Sequence, residues 1–170
     1  ARKAIEEAEE RTRLAIESAD IGTFEYNYIT DAIITSERFD EIFQLHRPGS
    51  RSETLAALHP DDVHLSARAH ASAAVKGKMM YEARLLYKDN SIHWIRVQAK
   101  VFYGTDGRPE QLLGTVLDIT DYKIIQQQKD DFISIASHEL KTPITSLKAS
   151  LQFMQRIQDT PQSTLFPKLL

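Results

Sequence analysis

The period of the hydrophobic pattern changes once along this chain, close to Thr120, and this change constrains the fold more than any other feature. Before it, apolar and polar residues alternate in several segments, as in strands with one buried face. After it, apolar residues recur every three or four positions, as on one face of a helix. The pattern therefore predicts a sheet-containing domain that is followed by a long helix.

Five segments before Thr120 show the alternation that is expected of strands, with helical segments between them. The predicted strands are 22–28, 32–35, 81–88, 94–101 and 111–119. A lead-in helix is predicted over 1–19, and Ser36 is expected to cap a second helix. A third helix is expected to begin at His59–Asp62 and to end at Gly77. This order predicts an α+β fold, in which an antiparallel sheet carries helices on one face.

Composition excludes several classes of protein. The 170 residues include 21 basic and 24 acidic side chains, so a net charge of −3 provides no positive field for nucleic acid. The absence of cysteine excludes disulfides and thiolate metal sites. No run of about 18 apolar residues occurs, so we expect no membrane contact within this chain. Both ends lie in helical patterns, and we expect a piece of a longer protein.

Four short motifs before Thr120 resemble those of PAS sensor domains. They are Ile21–Tyr26 on the first strand, His59–Asp62 before the long helix, Asp89–Ile95 at a hairpin and Gly114–Thr120 at the end of the sheet. Each motif is weak alone, but their order and spacing are specific. The resemblance implies a PAS fold, which is a five-stranded antiparallel sheet with helices over one face.

PAS domains often bind a ligand between the sheet and the helices, and the sequence leaves the ligand of this chain unknown. Without cysteine, a flavin–cysteinyl photosensor is excluded. Haem needs an axial ligand such as His64 or His70. We expect both histidines to be exposed on their helix, and therefore expect no haem and no other cofactor in this segment. We interpret Asp61 and Asp62 as helix-capping residues and expect no metal site.

A polar motif, Ser-His-Glu-Leu-Lys-Thr-Pro, interrupts the helical pattern at Ser137–Pro143. At about 100° per residue, His138 lies some 200° from Leu140 and so points away from the apolar stripe. Thr142 follows His138 by four residues and lies on the same face. The proline has no N–H to donate to the carbonyl of Glu139, which predicts that the helix bends or loosens there. The stripe, about 30 Å long, comprises Ile133, Ala136, Leu140, Ile144, Leu147, Leu151 and Met154.

The segment 129–170 resembles the start of the dimerisation and histidine-phosphotransfer domain of sensor histidine kinases. The resemblance makes His138 the phosphoacceptor and Glu139 the carboxylate that orients its ring and accepts its proton. Thr142 matches the position whose hydroxyl directs water in dephosphorylation of the response regulator. A chance His-Glu pair and the zinc-protease helix are weaker interpretations, since the latter needs a second histidine where Thr142 stands.

No glycine-rich ATP loop follows the motif, so we expect the chain neither to bind ATP nor to phosphorylate itself. The parent is expected to be a protein-histidine kinase, a transferase whose separate kinase domain binds ATP and Mg²⁺. The expected partners are that ATP-binding domain, a response regulator and a second copy of the chain. The homodimer would cover the apolar stripe as a coiled coil. We expect a cytoplasmic location and leave open a membrane anchor outside this segment.

The chain is thus divided into a lead-in helix over 1–20, a PAS domain over 21–121, and a linker helix with a partial phosphotransfer domain over 122–170. The leading hypothesis is the sensory and phosphoacceptor portion of a two-component histidine kinase. The alternative is a PAS module that binds a ligand or dimerises and has no chemistry of its own. The sequence alone leaves the stimulus and the cognate regulator open.

Overall fold

The computed structural model describes residues 2–46 and 49–158. The helices are α1 Arg2–Ser18, α2 Glu37–Phe43, α3 Arg51–Ala56, α4 Val63–Lys76 and α5 Thr120–Gln158, with a 3₁₀ turn at Pro60–Asp62. The strands are β1 Gly22–Asn27, β2 Ile33–Thr35, β3 Lys78–Leu86, β4 Ile92–Tyr103 and β5 Pro109–Asp118. Residues 159–170, the last part of the predicted phosphotransfer segment, lie outside the described residues, as do residues 47 and 48.

The five strands form one antiparallel sheet in the order β2-β1-β5-β4-β3. Its register follows the predicted hairpin, because Leu86 pairs with Ile92 across the turn that contains Asp89 and Asn90. Asn90 adopts a left-handed conformation with φ 64°, which asparagine tolerates better than most residues. The α+β architecture that the alternating pattern predicts is confirmed.

The core lies on the sheet face that α2 and α4 cover. The largest side chains there with less than 2% of their surface exposed are Ile42, Leu85, Ile95, Leu112 and Val116. Burying each such side chain stabilises the fold by roughly 1.5–3 kcal/mol. Gly22 permits close packing of α2 on β1, because a Cβ there would lie 2.7 Å from the Cα of Phe39.

Side-chain caps define where α2 and α3 begin. Ser36 accepts a hydrogen bond from the main-chain N–H of Phe39, as the sequence predicts. Helix α3 was not predicted, although its signal is present in the sequence. Ser50 and Glu53 form a capping box, in which each side chain accepts from the other residue's main-chain N–H.

The start of α4 differs from the prediction. The ring Nδ1 of His59 accepts from the main-chain N–H of Asp61 at 3.3 Å. Asp62 makes no capping bond, and its carboxylate accepts from Arg84 instead. The capping role assigned to the two aspartates is therefore wrong, because the Asp62 carboxylate accepts from three donors of the strand residue Arg84 instead. Gly77 ends α4 with φ 76°, as predicted.

Helix α5 belongs to two compact units, because the boundary between them falls between Lys123 and Ile124. It continues as an α-helix through Pro143, and none of its residues is buried. The bend or loosening at Pro143 stays a prediction. No helix in the part of the chain described here is both long and apolar enough to cross a membrane.

Candidate functional site

Helix α5 carries the three residues that the sequence singles out, and all three side chains are exposed. The hydroxyl of Thr142 donates a 3.3 Å hydrogen bond to the main-chain carbonyl of His138, one turn earlier. This bond keeps the hydroxyl on the side of the helix from which the imidazole projects. Glu139 follows His138 directly, about 100° around the helix axis. The spacing thus groups an imidazole, a carboxylate and a hydroxyl on one accessible surface.

The helix face around His138 is polar beyond these three residues. A shallow open groove on that face is bordered by His138, Lys141, Thr142, Thr145, Ser146 and Ala149. Thr145 donates a 2.8 Å bond to the carbonyl of Lys141, which repeats the pattern of Thr142 one turn further on. The Lys141 ammonium adds a positive charge three residues from the imidazole, which suits an anionic group approaching His138.

The predicted apolar stripe runs along another face of the same helix. Leu140, Ile144, Leu147 and Leu151 are between 55% and 63% exposed. A row of large apolar side chains with that exposure indicates an interaction surface. The imidazole and the stripe are therefore separated on the helix, so that covering the stripe would leave His138 accessible.

Two family models match the chain, one on each side of the boundary between the two compact units at Lys123 and Ile124. Residues 33–116 match the family described as the PAS fold. Residues 128–169 match the His Kinase A (phospho-acceptor) domain, and this match includes His138, Glu139 and Thr142. Curated relatives agree with both matches. The sensor histidine kinase WalK of Bacillus subtilis (strain 168) is 25% identical over 133 residues, which is 74% of this chain and 21% of the relative.

The chain combines a PAS fold with a His Kinase A phospho-acceptor domain, which supports a fragment of a histidine kinase. Sporulation kinase C of the same organism is 27% identical over 106 residues, which is 51% of this chain and 25% of that relative. The chain thus spans about a quarter or less of the length of these two relatives. The two matches correspond to the sensory and phospho-acceptor portion of a two-component kinase.

Solved structures support the fold of the PAS segment. A sensory box histidine kinase/response regulator from Burkholderia thailandensis E264 gives a TM-score of 0.60 at 23% identity, covering 77% of this chain and 98% of that one. The N-terminal domain of a diguanylate cyclase with PAS/PAC sensor from Marinobacter aquaeolei gives 0.55 at 20% identity, covering 61% and 98%. At these identities the likeness shows the PAS fold alone.

The PAS core contains one histidine, His70, whose predicted exposure is wrong. His64 is exposed, but His70 is half-buried and its ring lies edge-on to Tyr26, with 6.0 Å between the centroids. The Nδ1 of His70 is shielded from solvent and has no hydrogen-bond partner among the described residues. Burial lowers the pKa of His70, and the nearby positive charge of Arg51 lowers it further. The helical phase of His70 turns it toward the sheet.

His70 and Arg51 border a small cavity between the sheet and the helices. Its volume of about 50 Å³ is well below the roughly 300 Å³ at which ligand pockets typically begin. In this conformation the cavity has room for a few water molecules. Among residues 2–46 and 49–158, no three histidine or carboxylate side chains are grouped so as to hold a metal ion.

A polar cluster beside this cavity was missed by the sequence analysis. The carboxylate of Asp31 accepts from the Tyr26 hydroxyl at 2.6 Å and from Arg51 Nη1 at 2.7 Å. The Arg51 guanidinium also bonds the Tyr26 hydroxyl and lies 4.4 Å from the centroid of that ring. These residues are far apart in sequence and belong to no local motif, so only the folded chain brings them together.

Proposed function

We propose that His138 is the phosphoacceptor of a two-component sensor kinase and that the PAS unit is its sensory input. One observation carries this proposal: His138 is exposed on α5 away from the apolar stripe, and the residues around it match a phospho-acceptor domain. A histidine that served only packing would lie on the stripe. An accessible imidazole, in contrast, can be reached in turn by a phosphoryl donor and by a phosphoryl acceptor.

The first step is an attack of the imidazole on ATP. A ring nitrogen of His138 gives its lone pair to the γ-phosphorus, the bond from that phosphorus to the β–γ bridging oxygen breaks, and ADP leaves. The other ring nitrogen loses its proton, and Glu139 is the adjacent carboxylate that accepts it. The product is a phosphoramidate with a P–N bond on an exposed side chain.

The second step passes the phosphoryl group to an aspartate of a response regulator. A carboxylate oxygen of that aspartate attacks the phosphorus, the P–N bond breaks, and His138 recovers its proton from the surroundings. We propose that the Thr142 hydroxyl directs a water molecule when the phosphorylated response regulator is dephosphorylated. To do so it exchanges its bond to the His138 carbonyl for one to water.

The remaining machinery is proposed to belong to other parts of the kinase or to its partners. ATP is bound by a separate kinase domain, where Mg²⁺ neutralises charge on the phosphates. This chain alone is then inactive, and no cofactor is proposed within it. A second copy covers the apolar stripe of α5 and forms a homodimer. Because ATP and response regulators occur in the cytoplasm, we place this segment there.

The proposal is tested by supplying the missing half of the reaction. The chain is mixed with a purified histidine-kinase ATP-binding domain and radiolabelled ATP with Mg²⁺. We expect label on the chain that is lost in acid and retained in base, as is characteristic of a phosphoramidate. The chain without the ATP-binding domain is the control and should stay unlabelled. Absence of label with an ATP-binding domain that is active on its own substrate favours a PAS module without chemistry.

A further inference from the structure

The first turn of α5 is fastened to the sheet by one ion pair. The Lys123 ammonium lies 2.6 Å from Oε2 of Glu82 on β3. It also lies 4.9 Å from the centroid of the Trp94 ring on β4. The side chains of Lys123 and Glu82 are only 26% and 30% exposed, so the contact is partly shielded from water. Lys123 thus folds back onto the sheet face opposite the core.

Glu82 is held from a second side. Its Oε1 accepts from Arg96 Nε at 3.0 Å and from Arg96 Nη2 at 2.8 Å. Arg96 is directly opposite Glu82 in the register of β3 and β4. Hydrogen bonds from Lys123 and then from Arg96 lower the pKa of Glu82. The carboxylate therefore stays ionised, and the bonds from Arg96 hold it in place as a fixed partner for the Lys123 ammonium.

Hydrogen bonds to β4 hold the chain as far as the first residue of α5. The main-chain N–H of Ile119 donates to the carbonyl of Trp94 at 2.8 Å. The N–H of Trp94 in turn donates to Thr120 Oγ1 at 2.9 Å. Lys123 extends this attachment by one helical turn. It is also the last residue of the first compact unit.

The same indole ring connects α5 to the helix over the cavity. The Arg84 guanidinium lies 5.8 Å from the centroid of Trp94. Arg84 is hydrogen-bonded to Asp62, the residue immediately before α4. Trp94 therefore contacts one cation tied to the start of α4 and another on the first turn of α5. A shift at the start of α4 has a contiguous route to α5 through these side chains.

We propose that Glu82 is a positioning residue that sets the first turn of α5 through Lys123. Trp94 and Arg84 connect this anchor to the start of α4. For its consequence at His138 the inference rests on the proposed function, because α5 is the helix that carries the phosphoacceptor. The anchor itself is a property of the PAS unit and can be measured without any phosphoryl transfer.

The anchor is tested by amide hydrogen exchange on the whole chain. In Glu82→Gln or Lys123→Met we expect exchange of the amides at 121–127 to accelerate roughly two- to fivefold, as for loss of a partly shielded ion pair. The double variant should be no faster than either single variant, because both remove the same contact. Lys123→Arg should restore slow exchange. Lys129→Met, which alters an exposed lysine of the same helix, is the matched control.

Two results would overturn the inference. One is unchanged exchange at 121–127 in both single variants, and the other is an equal acceleration in Lys129→Met. The consequence at His138 has a separate readout, the rate of labelling by the ATP-binding domain. Lys123→Met should change that rate and Lys123→Arg should restore it. If the unaltered chain takes no label while the exchange results hold, the proposed function fails and the anchor stands.

Discussion

The carboxylate of Asp62 accepts three hydrogen bonds from one residue, Arg84. Its Oδ2 accepts from the main-chain N–H at 2.8 Å and from Nε at 2.9 Å, and its Oδ1 accepts from Nη2 at 2.7 Å. Asp62 is 6% exposed. These bonds join the start of α4 to the edge strand β3, and thereby fix one end of the helix that covers the core.

This pairing makes the fold sensitive to acid. Hydrogen bonds from the Arg84 side chain lower the pKa of Asp62 from 3.8 to about 2. A lowered carboxyl pKa stabilises the fold above the unfolded value, and that stability is lost as the pH falls from about 4 through 2. We expect Asp62→Asn to reduce the free energy of unfolding at pH 7 by about 1–2 kcal/mol, measured by urea denaturation.

Asp61→Asn is the matched control, since Asp61 is adjacent but its side chain is 74% exposed. It should change the stability by less than about 0.5 kcal/mol. Equal losses of unfolding free energy in the two variants would show that the Asp62–Arg84 pair does not stabilise the fold more than an exposed charge does.

His70 should give the fold a second pH dependence, nearer neutrality. Burial lowers its pKa below the ordinary value of 6.5. The unfolded chain therefore binds a proton more readily than the folded chain, and stability falls as the pH drops below about 6.5. Replacing His70 with Gln should flatten the unfolding free energy between pH 7 and pH 5. The same change at the exposed His64 should leave that slope as it is, and a flattening in both variants would refute the assignment.

Much of the fold was predictable because its signals are local. Alternation identified all five strands, and Ser36 and Gly77 marked two helix boundaries as predicted. Helix α3 was missed because it is only six residues long, too short for its apolar period to be recognised. Its capping box was nevertheless readable. The environment of Asp62 could not be read from the sequence, because its partner Arg84 lies 22 positions away. Only the folded sheet brings Arg84 close enough for Asp62 to pair with it and not to cap the helix.

The residues of the candidate site also fall into two groups, those placed by local sequence and those placed only by the folded chain. The grouping of His138, Glu139 and Thr142 follows from helix geometry alone, so the sequence predicted their placement on one exposed helix, while their roles stay predictions. The burial of His70 could not be predicted from the sequence, because α4 is rich in alanine and its buried face is hard to recognise. The contact between Glu82 and Lys123 joins a strand to a helix 41 positions later. Such a contact becomes visible only in the folded chain.

Association through α5 should depend on its apolar stripe. Leu147 is 63% exposed on the isolated chain, and an aspartate there would be buried between two helices in a dimer. We expect Leu147→Asp to weaken dimerisation by at least tenfold, measured by analytical ultracentrifugation. Lys148→Asp, at the next position, should preserve the dimer. A dimer that withstands Leu147→Asp would show that the stripe is not the interface.

Thr142 should affect dephosphorylation and not phosphorylation. In its proposed role the Thr142 hydroxyl orients water, so Thr142→Ala should slow loss of phosphate from the response regulator by roughly 10- to 100-fold. Thr142→Ser keeps the hydroxyl and should retain most of the activity. Labelling of His138 from ATP should be similar in all three proteins. If the alanine variant dephosphorylates the regulator normally, the assigned role is wrong.

Mapping the phosphorylated residue tests the central claim most directly. The chain and its His138→Gln and His64→Gln variants are incubated with a histidine-kinase ATP-binding domain, Mg²⁺ and radiolabelled ATP, and the acid-labile label on each is compared. We expect equal labelling of the unaltered chain and the His64 variant, with background labelling of the His138 variant. Acid-labile label that persists after His138→Gln would contradict the assignment of His138 as the phosphoacceptor.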